Sequence, residues 1–159
     1  MIRIRPFRGG DEQEILKWCP DEDTFYKWSF GVLGEFPLTG EKFAKTEKYS
    51  RFTAIDGSDV VGFFTVRNPG QRLEELRFGF VIVDPARRGQ GIGKTMLRQG
   101  LSYAFTIYQA KRVSLGVFEQ NRPAFACYSA IGFTRTGETE TYSIRGEELE
   151  VIEMAVDRI

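Results

Sequence analysis

The sequence predicts an α/β fold in which helices flank one central sheet that is mixed and mostly antiparallel, within a single domain of residues 1–159. Short apolar runs separated by Asp-Gly and Pro-Gly turns indicate antiparallel hairpins. A long helical segment between two apolar strands indicates a locally parallel crossover, normally right-handed. No internal repeat, low-complexity tract or linker interrupts the 159 residues, which are the size of one ordinary domain.

The first half of the chain predicts a strand, several short helices and a hairpin. An Asp-Gly pair between two β-rich runs is a strong hairpin signal, and Asp residues before apolar segments suit helix N-caps. The predicted elements are a strand at 1–7, a helix from Asp11 to Cys19, a helix that starts at Asp21 or Asp23, a helix at 41–49, and strands at 51–55 and 60–66.

The second half predicts the crossover and a closing hairpin. Residues 76–83 form a continuous apolar run, which suits a central strand that is covered on both faces. The helix that follows, at 91–108, places its apolar residues on one face. The remaining elements are a strand at 113–118, a helix at 123–131, and strands at 133–144 and 149–156.

The composition excludes several classes of function. The formal net charge is zero, so the basic footprint of a nucleic-acid-binding protein is missing. No apolar run approaches the ~20 residues of a membrane helix, and the N-terminus lacks a signal-peptide core, so we expect a cytoplasmic protein with no membrane partner. With no histidine in the chain, a Ser-His-Asp or Cys-His device is impossible. Cys19 and Cys127 lie far apart, and we expect two buried thiols and no metal site.

A glycine-rich loop between Val83 and Thr95 joins the buried strand to the long helix. Glycines allow positive φ angles and a close approach of the backbone to a ligand. The free amides of a helix start, together with the helix dipole, make a ready anion site. With Arg87, Arg88 or Lys94 nearby, the loop predicts a cradle for a pyrophosphate.

Three phosphate-binding motifs compete for this loop. A Rossmann motif needs a third glycine where Lys94 stands, so it fails. A Walker A loop would end in Gly93-Lys94-Thr95 but needs its first glycine where Arg88 stands, which leaves a near match. The third motif, [QR]-x-x-G-x-[GA], fits Arg88, Gly91 and Gly93. A strand-to-helix turn that binds nothing is the structural alternative.

In this third motif the chain resembles the GNAT superfamily of N-acetyltransferases. The resemblance implies that backbone amides of the loop hold the pyrophosphate of acetyl-coenzyme A. It also implies that the preceding strand, which ends in V-x-P as in the family, offers main-chain groups to the pantetheine arm. The implied cofactor-binding residues are Arg88, Gly89, Gln90, Gly91, Ile92, Gly93 and Lys94 in the loop, and Val81, Ile82 and Val83 in the strand.

A second motif, from Asn121 to Phe133, is similar to the family signature N-x-x-A-x-x-x-Y-x-x-x-G-F. Considered alone, Asn121 suits a helix N-cap and Gly132 a C-terminal cap. The resemblance implies that Asn121 binds the coenzyme and that Tyr128 lies near the thioester sulfur. The alternative is a capping Asn and a core Tyr with its hydroxyl satisfied. The two motifs cover about residues 76–133, and the remainder fits only by strand order.

The resemblance implies direct attack of an amine on acetyl-coenzyme A within a ternary complex, with no metal. Tyr128 is the predicted acid that protonates the leaving thiolate. Glu75 is the predicted base, and Glu74, Glu119 or a chain of waters are the alternatives. In a regular strand Glu75 would share a face with Val83, and a bulge would reverse this.

The predicted partner is a small-molecule or peptide amine, and a homodimer is left open. Aromatic and acidic residues between Trp18 and Phe36 suit a cationic amine, but a core role for most of these aromatics is the stronger interpretation. Two other functions stay open. A phosphotransferase that uses the near-Walker loop predicts Mg²⁺-dependent ATP binding, and a silent regulatory module predicts acyl-coenzyme A binding without turnover.

Overall fold

The computed structural model describes residues 1–71 and 74–159, and its strands form one seven-stranded sheet. Those two stretches of chain contain the strands β1 (Ile2–Pro6), β2 (Ser50–Asp56), β3 (Asp59–Arg67), β4 (Glu75–Val83), β5 (Arg112–Phe118), β6 (Thr134–Ile144) and β7 (Glu147–Asp157). The strand order is β1-β2-β3-β4-β5-β7-β6. Only β4 and β5 are parallel, and the other neighbours are antiparallel. The predicted mixed, mostly antiparallel sheet is therefore confirmed.

The helices are α1 (Glu12–Ile15), α2 (Glu22–Ser29), α3 (Gly40–Phe43), α4 (Ile92–Thr106) and α5 (Arg122–Ala130). Two predicted helices are shorter than the sequence indicated. The segment from Asp11 to Cys19 leaves the α-helix after Ile15 and continues in i→i+3 turns towards Pro20. The segment 41–49 divides into α3 and a 3₁₀ helix over Ala44–Lys48. No helix in the described residues is both long and apolar enough to span a membrane.

Two of the predicted hairpins, β2–β3 and β6–β7, close with two-residue loops. Asp56 pairs with Asp59 across Gly57-Ser58, and Ile144 pairs with Glu147 across Arg145-Gly146. Both residues of the second loop have positive φ, 55° at Arg145 and 78° at Gly146, which matches the twist of the flanking strands. These turns are local features, and the sequence predicted both.

The parallel neighbours β4 and β5 pair over three residues and then diverge. Glu75, Leu76 and Arg77 face Arg112, Val113 and Ser114, and no further register pair follows. Beyond that point β4 remains bonded to β3, while β5 remains bonded to β7. An opening therefore separates the two strands near the middle of the sheet.

A β-bulge in β4 changes which face its side chains occupy. Between the Phe63–Ile82 pair and the Thr65–Gly79 pair, β3 advances by two positions and β4 by three, and Phe80 has a φ of 49°. An extra residue on one strand shifts the alternation of side chains. The bulge therefore reverses the relation expected for a regular strand, and Glu75 shares a face with Ile82 rather than with Val83.

Two apolar clusters cover the two faces of the sheet. On one face α4 and α5 pack on a cluster that includes Leu76, Phe78 and Val113. On the other face α1, α2 and α3 pack on a cluster that includes Ile82 and Phe118. We call these the coenzyme face and the acceptor face, respectively, after the two ligands that the family resemblance implies.

Candidate functional site

A cleft of about 860 Å³ occupies the opening between β4 and β5, a volume within the usual range of a ligand site. Its lining comes from both faces of the sheet. The coenzyme face contributes the glycine loop and the first turns of α5, and the acceptor face contributes α2 and the ends of β3 and β6. The strands themselves contribute residues 77–83 of β4 and 115–118 of β5. The cleft therefore connects the two faces through the sheet.

The glycine loop presents unpaired amides at the start of α4. Gly89 and Gly91 have φ angles of 80° and 75°, which a residue with a side chain adopts only with strain. Gly91 is the N-cap of α4, and no side chain caps the first-turn amides of Ile92, Gly93 and Lys94. The loop therefore offers free N–H groups and the positive end of a 15-residue helix to an anion.

Gly93 sets the distance between α4 and its neighbours. A Cβ at this position would lie 3.5 Å from the Cys127 Sγ atom and 3.6 Å from the Val83 Cγ2 atom. The first turn of α4 therefore packs closely against both α5 and the end of β4. This contact holds the loop beside the residues of the second motif.

The three basic residues of the loop have different surroundings. Arg87 donates to Asp56 at 3.1 Å and to Asp59 at 2.6 Å, so it fastens the loop to the β2–β3 hairpin. Arg88 and Lys94 line the cleft, and no ion pair with a carboxylate in residues 1–71 or 74–159 involves either. Arg88 and Lys94 are therefore the two cations available to a phosphate.

Asn121 and Tyr128 both line the cleft, two helical turns apart on α5. The side chain of Asn121 accepts from the Ala124 amide at 3.4 Å, which confirms the predicted N-cap. Gly132 has a φ of 108°, and the Phe133 amide donates to the Tyr128 carbonyl at 3.0 Å. Gly132 therefore forms the predicted C-terminal cap of α5.

The hydroxyl of Tyr128 has no hydrogen-bond partner in the described part of the chain, although the residue is only 7% exposed. Its ring packs on Phe133, with 6.2 Å between centroids. Burial is the main cause that raises the pKa of Tyr128, and the neighbouring Cys127 adds to it. The phenol therefore stays protonated and is available to a ligand in the cleft.

Neither thiol of the chain is an activated nucleophile. Burial raises the pKa of Cys19 to about 12. Burial also raises the pKa of Cys127, although Lys94 and Arg98 oppose the shift. Nucleophilic cysteines have a lowered pKa, so the geometry does not favour an acyl-cysteine intermediate. No group of three or more Cys, Asp or Glu side chains in the described residues lies close enough to hold a metal ion.

The three glutamates considered as bases lie outside the lining of the cleft. Glu75 is exposed at the start of β4, on the acceptor face, and accepts from the Ser114 hydroxyl at 3.5 Å. Glu74 lies beside Lys111, at 3.6 Å, and Glu119 follows the end of β5. None of these positions identifies the base, and its assignment to Glu75 stays a prediction.

Sequence reasoning missed an ion pair on the acceptor face. Arg77 donates to Glu153 at 2.9 Å and to Ser114 at 3.3 Å, and both charged side chains are less than one fifth exposed. A Cβ at Gly116 would lie 3.1 Å from Arg77 Nη2 and 3.1 Å from Glu153 Oε2. The glycine therefore makes room for the pair. Its sequence signal was Arg77 within the apolar run 76–83 and Glu153 within the apolar run 151–156, since charges in such runs need partners.

The aromatic residues between Trp18 and Phe36 belong mainly to the core. Trp18 and Phe25 are buried in the cluster of the acceptor face, as the core interpretation expected. Trp28 and Phe30 also line the cleft. The Trp28 indole N–H donates to the Phe80 carbonyl at 2.8 Å, so it secures the bulge of β4.

Comparison with known proteins agrees with this arrangement of loop, cleft and helix. Residues 13–133 match the model of the acetyltransferase (GNAT) family. Mycothiol acetyltransferase of Corynebacterium glutamicum is 36% identical over 125 residues, which cover 74% of this chain and 40% of that protein. Spermine/spermidine N(1)-acetyltransferase of Bacillus subtilis is 33% identical over 104 residues, 60% of this chain and 64% of that protein. The chain thus matches less than two thirds of the length of either relative.

Solved structures share the fold. Spermidine N-acetyltransferase from Vibrio cholerae, in complex with coenzyme A and spermine, superposes with a TM-score of 0.81 at 21% identity, over 98% of this chain and 95% of that one. The family match extends over well more than half of the chain and includes both the glycine loop and the Asn121–Phe133 motif. The chain belongs to the acetyltransferase (GNAT) family.

Proposed function

We propose that the protein transfers the acetyl group of acetyl-coenzyme A to a primary amine by direct attack within a ternary complex. The observation that carries the proposal is the cleft between β4 and β5, which extends from the free amides of the glycine loop on one face of the sheet to the residues of α2 on the other. Two substrates can therefore reach the same point from opposite faces, and no enzyme-bound acyl group is required.

The coenzyme face fits a nucleotide thiol. The first-turn amides of α4, with Arg88 and Lys94, would hold the pyrophosphate. Residues 81–83 of β4 have no strand partner on the side of the opening, so their backbone groups would bond the amides of the pantetheine arm. Asn121 lines the same wall. A thioester held in this way would lie beside Tyr128.

The chemistry follows from the protonation states. An alkylamine with a pKa near ~10 is mostly protonated at neutral pH and must first lose a proton. The neutral nitrogen then attacks the thioester carbon, and the carbon–sulfur bond breaks. Tyr128, whose pKa is raised by burial, donates its proton to the departing thiolate, and the proton released from the new amide nitrogen restores the phenol. General-acid catalysis of this kind contributes ~10²–10⁴-fold.

For the first proton we propose Glu75 as the acceptor, through water. Its carboxylate lies on the acceptor face and contacts Ser114, which also accepts from Arg77 of the cleft. A Glu75→Gln variant tests this role. We expect a lower rate at neutral pH that recovers as pH rises, because more of the amine is then neutral without help. An unchanged pH profile would assign the proton to another group.

The relatives' names differ, because one relative is named for mycothiol and another for spermine and spermidine. The acceptor of this chain therefore needs its own determination. A phosphotransferase is a weaker candidate, because Arg88 occupies the position of the first Walker glycine and the motif of α5 has no place in that function.

Thiol release from acetyl-coenzyme A, measured over a panel of amines, tests the proposal. We expect initial-rate patterns that intersect when both substrates are varied, as a ternary complex requires, and a Cys127→Ser variant with rates within about twofold of wild type. Parallel patterns would indicate an acyl-enzyme. Binding of coenzyme A without turnover of any amine would indicate the silent regulatory module, and binding of ATP with Mg²⁺ but not coenzyme A would indicate the phosphotransferase.

A further inference from the structure

We propose that the acceptor carries a carboxylate as well as its amine, and that Arg67 binds this carboxylate at the acceptor end of the cleft. The inference rests on the proposed function, because it names the class of amine that enters the same cleft. It follows from the balance of charges on the acceptor face, from the pairing of β3 with β4, and from the distance between Arg67 and the glycine loop.

Cations outnumber acids in the lining of the cleft. The charged residues are Asp23, Lys27, Arg67, Arg77, Arg87, Arg88 and Lys94, six cations and one acid. Three of the cations, Arg87, Arg88 and Lys94, belong to the glycine loop and the first turn of α4. The acceptor end therefore holds three cations and a single carboxylate.

Two of the three cations at the acceptor end already have partners. Lys27 lies 3.0 Å from Asp23 on the next turn of α2, and Arg77 lies 2.9 Å from Glu153. Arg67 has no carboxylate within 4 Å in residues 1–71 or 74–159. Arg67 is exposed, so its charge is compensated by solvent and not by a carboxylate of the described residues.

The pairing of β3 with β4 places the Arg67 charge next to a second positive charge. Arg67 is the direct partner of Arg77 in the antiparallel register of β3 and β4. Directly opposed residues have Cβ atoms about 4.5–5.5 Å apart, and like charges in such a pair are unfavourable. The Glu153 carboxylate pairs with Arg77, and no ion pair of the described residues joins it to the adjacent Arg67. A carboxylate supplied by a substrate would complete the arrangement and could bind Arg67 through two parallel hydrogen bonds.

Arg67 is too far from the glycine loop to serve the coenzyme phosphates. In the register of β3 and β4 the loop follows the Gly62–Val83 pair, whereas Arg67 pairs with Arg77. These positions are separated by five residues of β3, about 16 Å along the strand. The guanidinium group is therefore placed to act on the acceptor.

The remaining wall at this end is aromatic. Trp28, Tyr49 and Phe80 line the cleft there, with 5.3 Å between the Trp28 and Phe80 rings and 5.9 Å between those of Tyr49 and Phe80. Such a wall suits an apolar body between the amine and the carboxylate. The substrate class is therefore an amino acid with an apolar or aromatic side chain. A polyamine, which is cationic along its length, would meet Arg67 as a like charge.

Matched pairs of amines test this inference. Phenylalanine, methionine and leucine are each compared with the amine that decarboxylation would give, together with spermidine, in the wild type, Arg67→Gln, Arg67→Lys and the control Arg3→Gln. Arg3 is exposed on β1 and does not line the cleft. The readout is kcat/KM for thiol release, with circular dichroism to verify that each variant is folded.

We expect the wild type to prefer at least one amino acid over its decarboxylated amine and over spermidine. Arg67→Gln should lower kcat/KM for that amino acid by about 10- to 100-fold, the usual range for a hydrogen bond to a charged group, and leave the decarboxylated amine within about twofold. Arg67→Lys should lie between the two, and Arg3→Gln should match the wild type.

A preference for spermidine, or an equal loss for both members of each pair in Arg67→Gln, would overturn the inference and leave acetyl transfer intact. No turnover of any amine, with coenzyme A bound, would instead overturn the proposed function and the inference with it.

Discussion

A Tyr128→Phe substitution tests whether Tyr128 acts as the proposed acid or only as a residue of the core. The change removes one hydroxyl from the wall of the cleft and keeps the ring that packs on Phe133. A neutral hydrogen bond typically contributes about 0.5–1.5 kcal/mol to stability, and this hydroxyl makes none with the described residues. We therefore expect the free energy of unfolding to change by less than about 1 kcal/mol.

The effect on catalysis should be far larger. Loss of a general acid costs ~10²–10⁴-fold in rate, which is about 2.7–5.4 kcal/mol in the activation free energy. Because burial raises the pKa of Tyr128, the wild-type acid stays protonated across neutral and mildly alkaline pH. The loss in the variant should therefore be nearly constant between about pH 6 and 9.

The assay is thiol release at saturating acetyl-coenzyme A, with Tyr108→Phe as a control outside the cleft. We expect kcat of Tyr128→Phe to fall at least about 100-fold, with a nearly unchanged KM for acetyl-coenzyme A and no change in the control. A kcat within about threefold of wild type would refute the role of acid. A raised KM for acetyl-coenzyme A with an unchanged kcat would show that Tyr128 contributes only to binding of the coenzyme.

Four further substitutions have expected outcomes. Gly91→Ala and Gly57→Ala place alanine at φ angles of 75° and 64°, with no atom within 4 Å of the new Cβ. Each should therefore cost about 1 kcal/mol in unfolding free energy, but only Gly91→Ala should raise the KM for acetyl-coenzyme A. Gly116→Ala places a Cβ 2.8 Å from its nearest neighbour and should cost about 1–3 kcal/mol by denaturant titration, with a lower kcat/KM; an unchanged rate would show that this wall does not contact the acceptor. Burial alone raises the pKa of Asp11, but hydrogen bonds, first that of Arg5 at 2.7 Å, lower it overall. The stabilisation by Asp11 is therefore present at neutral pH and lost as pH falls through the folded pKa, below about 4. Asp11→Asn should cost about 1.5–3 kcal/mol in unfolding free energy at pH 7 and less in acid.

The features that the sequence predicted well are those that a few neighbouring residues determine. The hairpin turn at Gly57, the cap at Asn121 and the start of α4 after Gly91 each depend on the backbone preferences of one or two residues. The glycine loop was therefore recognisable before its surroundings were known. The helix predicted from Asp11 to Cys19 begins where expected but ends after Ile15, where the backbone changes to i→i+3 hydrogen bonds.

The features that were missed depend on residues distant in the chain. Arg77 and Glu153 are 76 positions apart and meet only because β5 lies between β4 and β7. The bulge at Phe80 follows from pairing with β3 and from the bond to Trp28. A charge inside an apolar strand indicates that a partner is needed but not which residue supplies it, and the bulge leaves no local pattern. The acceptor end of the cleft could therefore not be described from the sequence alone.

The divergence of β4 from β5 gives the sheet two inner margins that resemble edge strands. The N–H and C=O groups along such margins are a template onto which another extended chain could add. Natural sheets defend their outer edges with charged side chains that point inward, and here the Arg77–Glu153 pair lies beside the point where the strands separate. By the same physical argument, the Arg77–Glu153 pair would hinder the addition of another chain's strand at this margin.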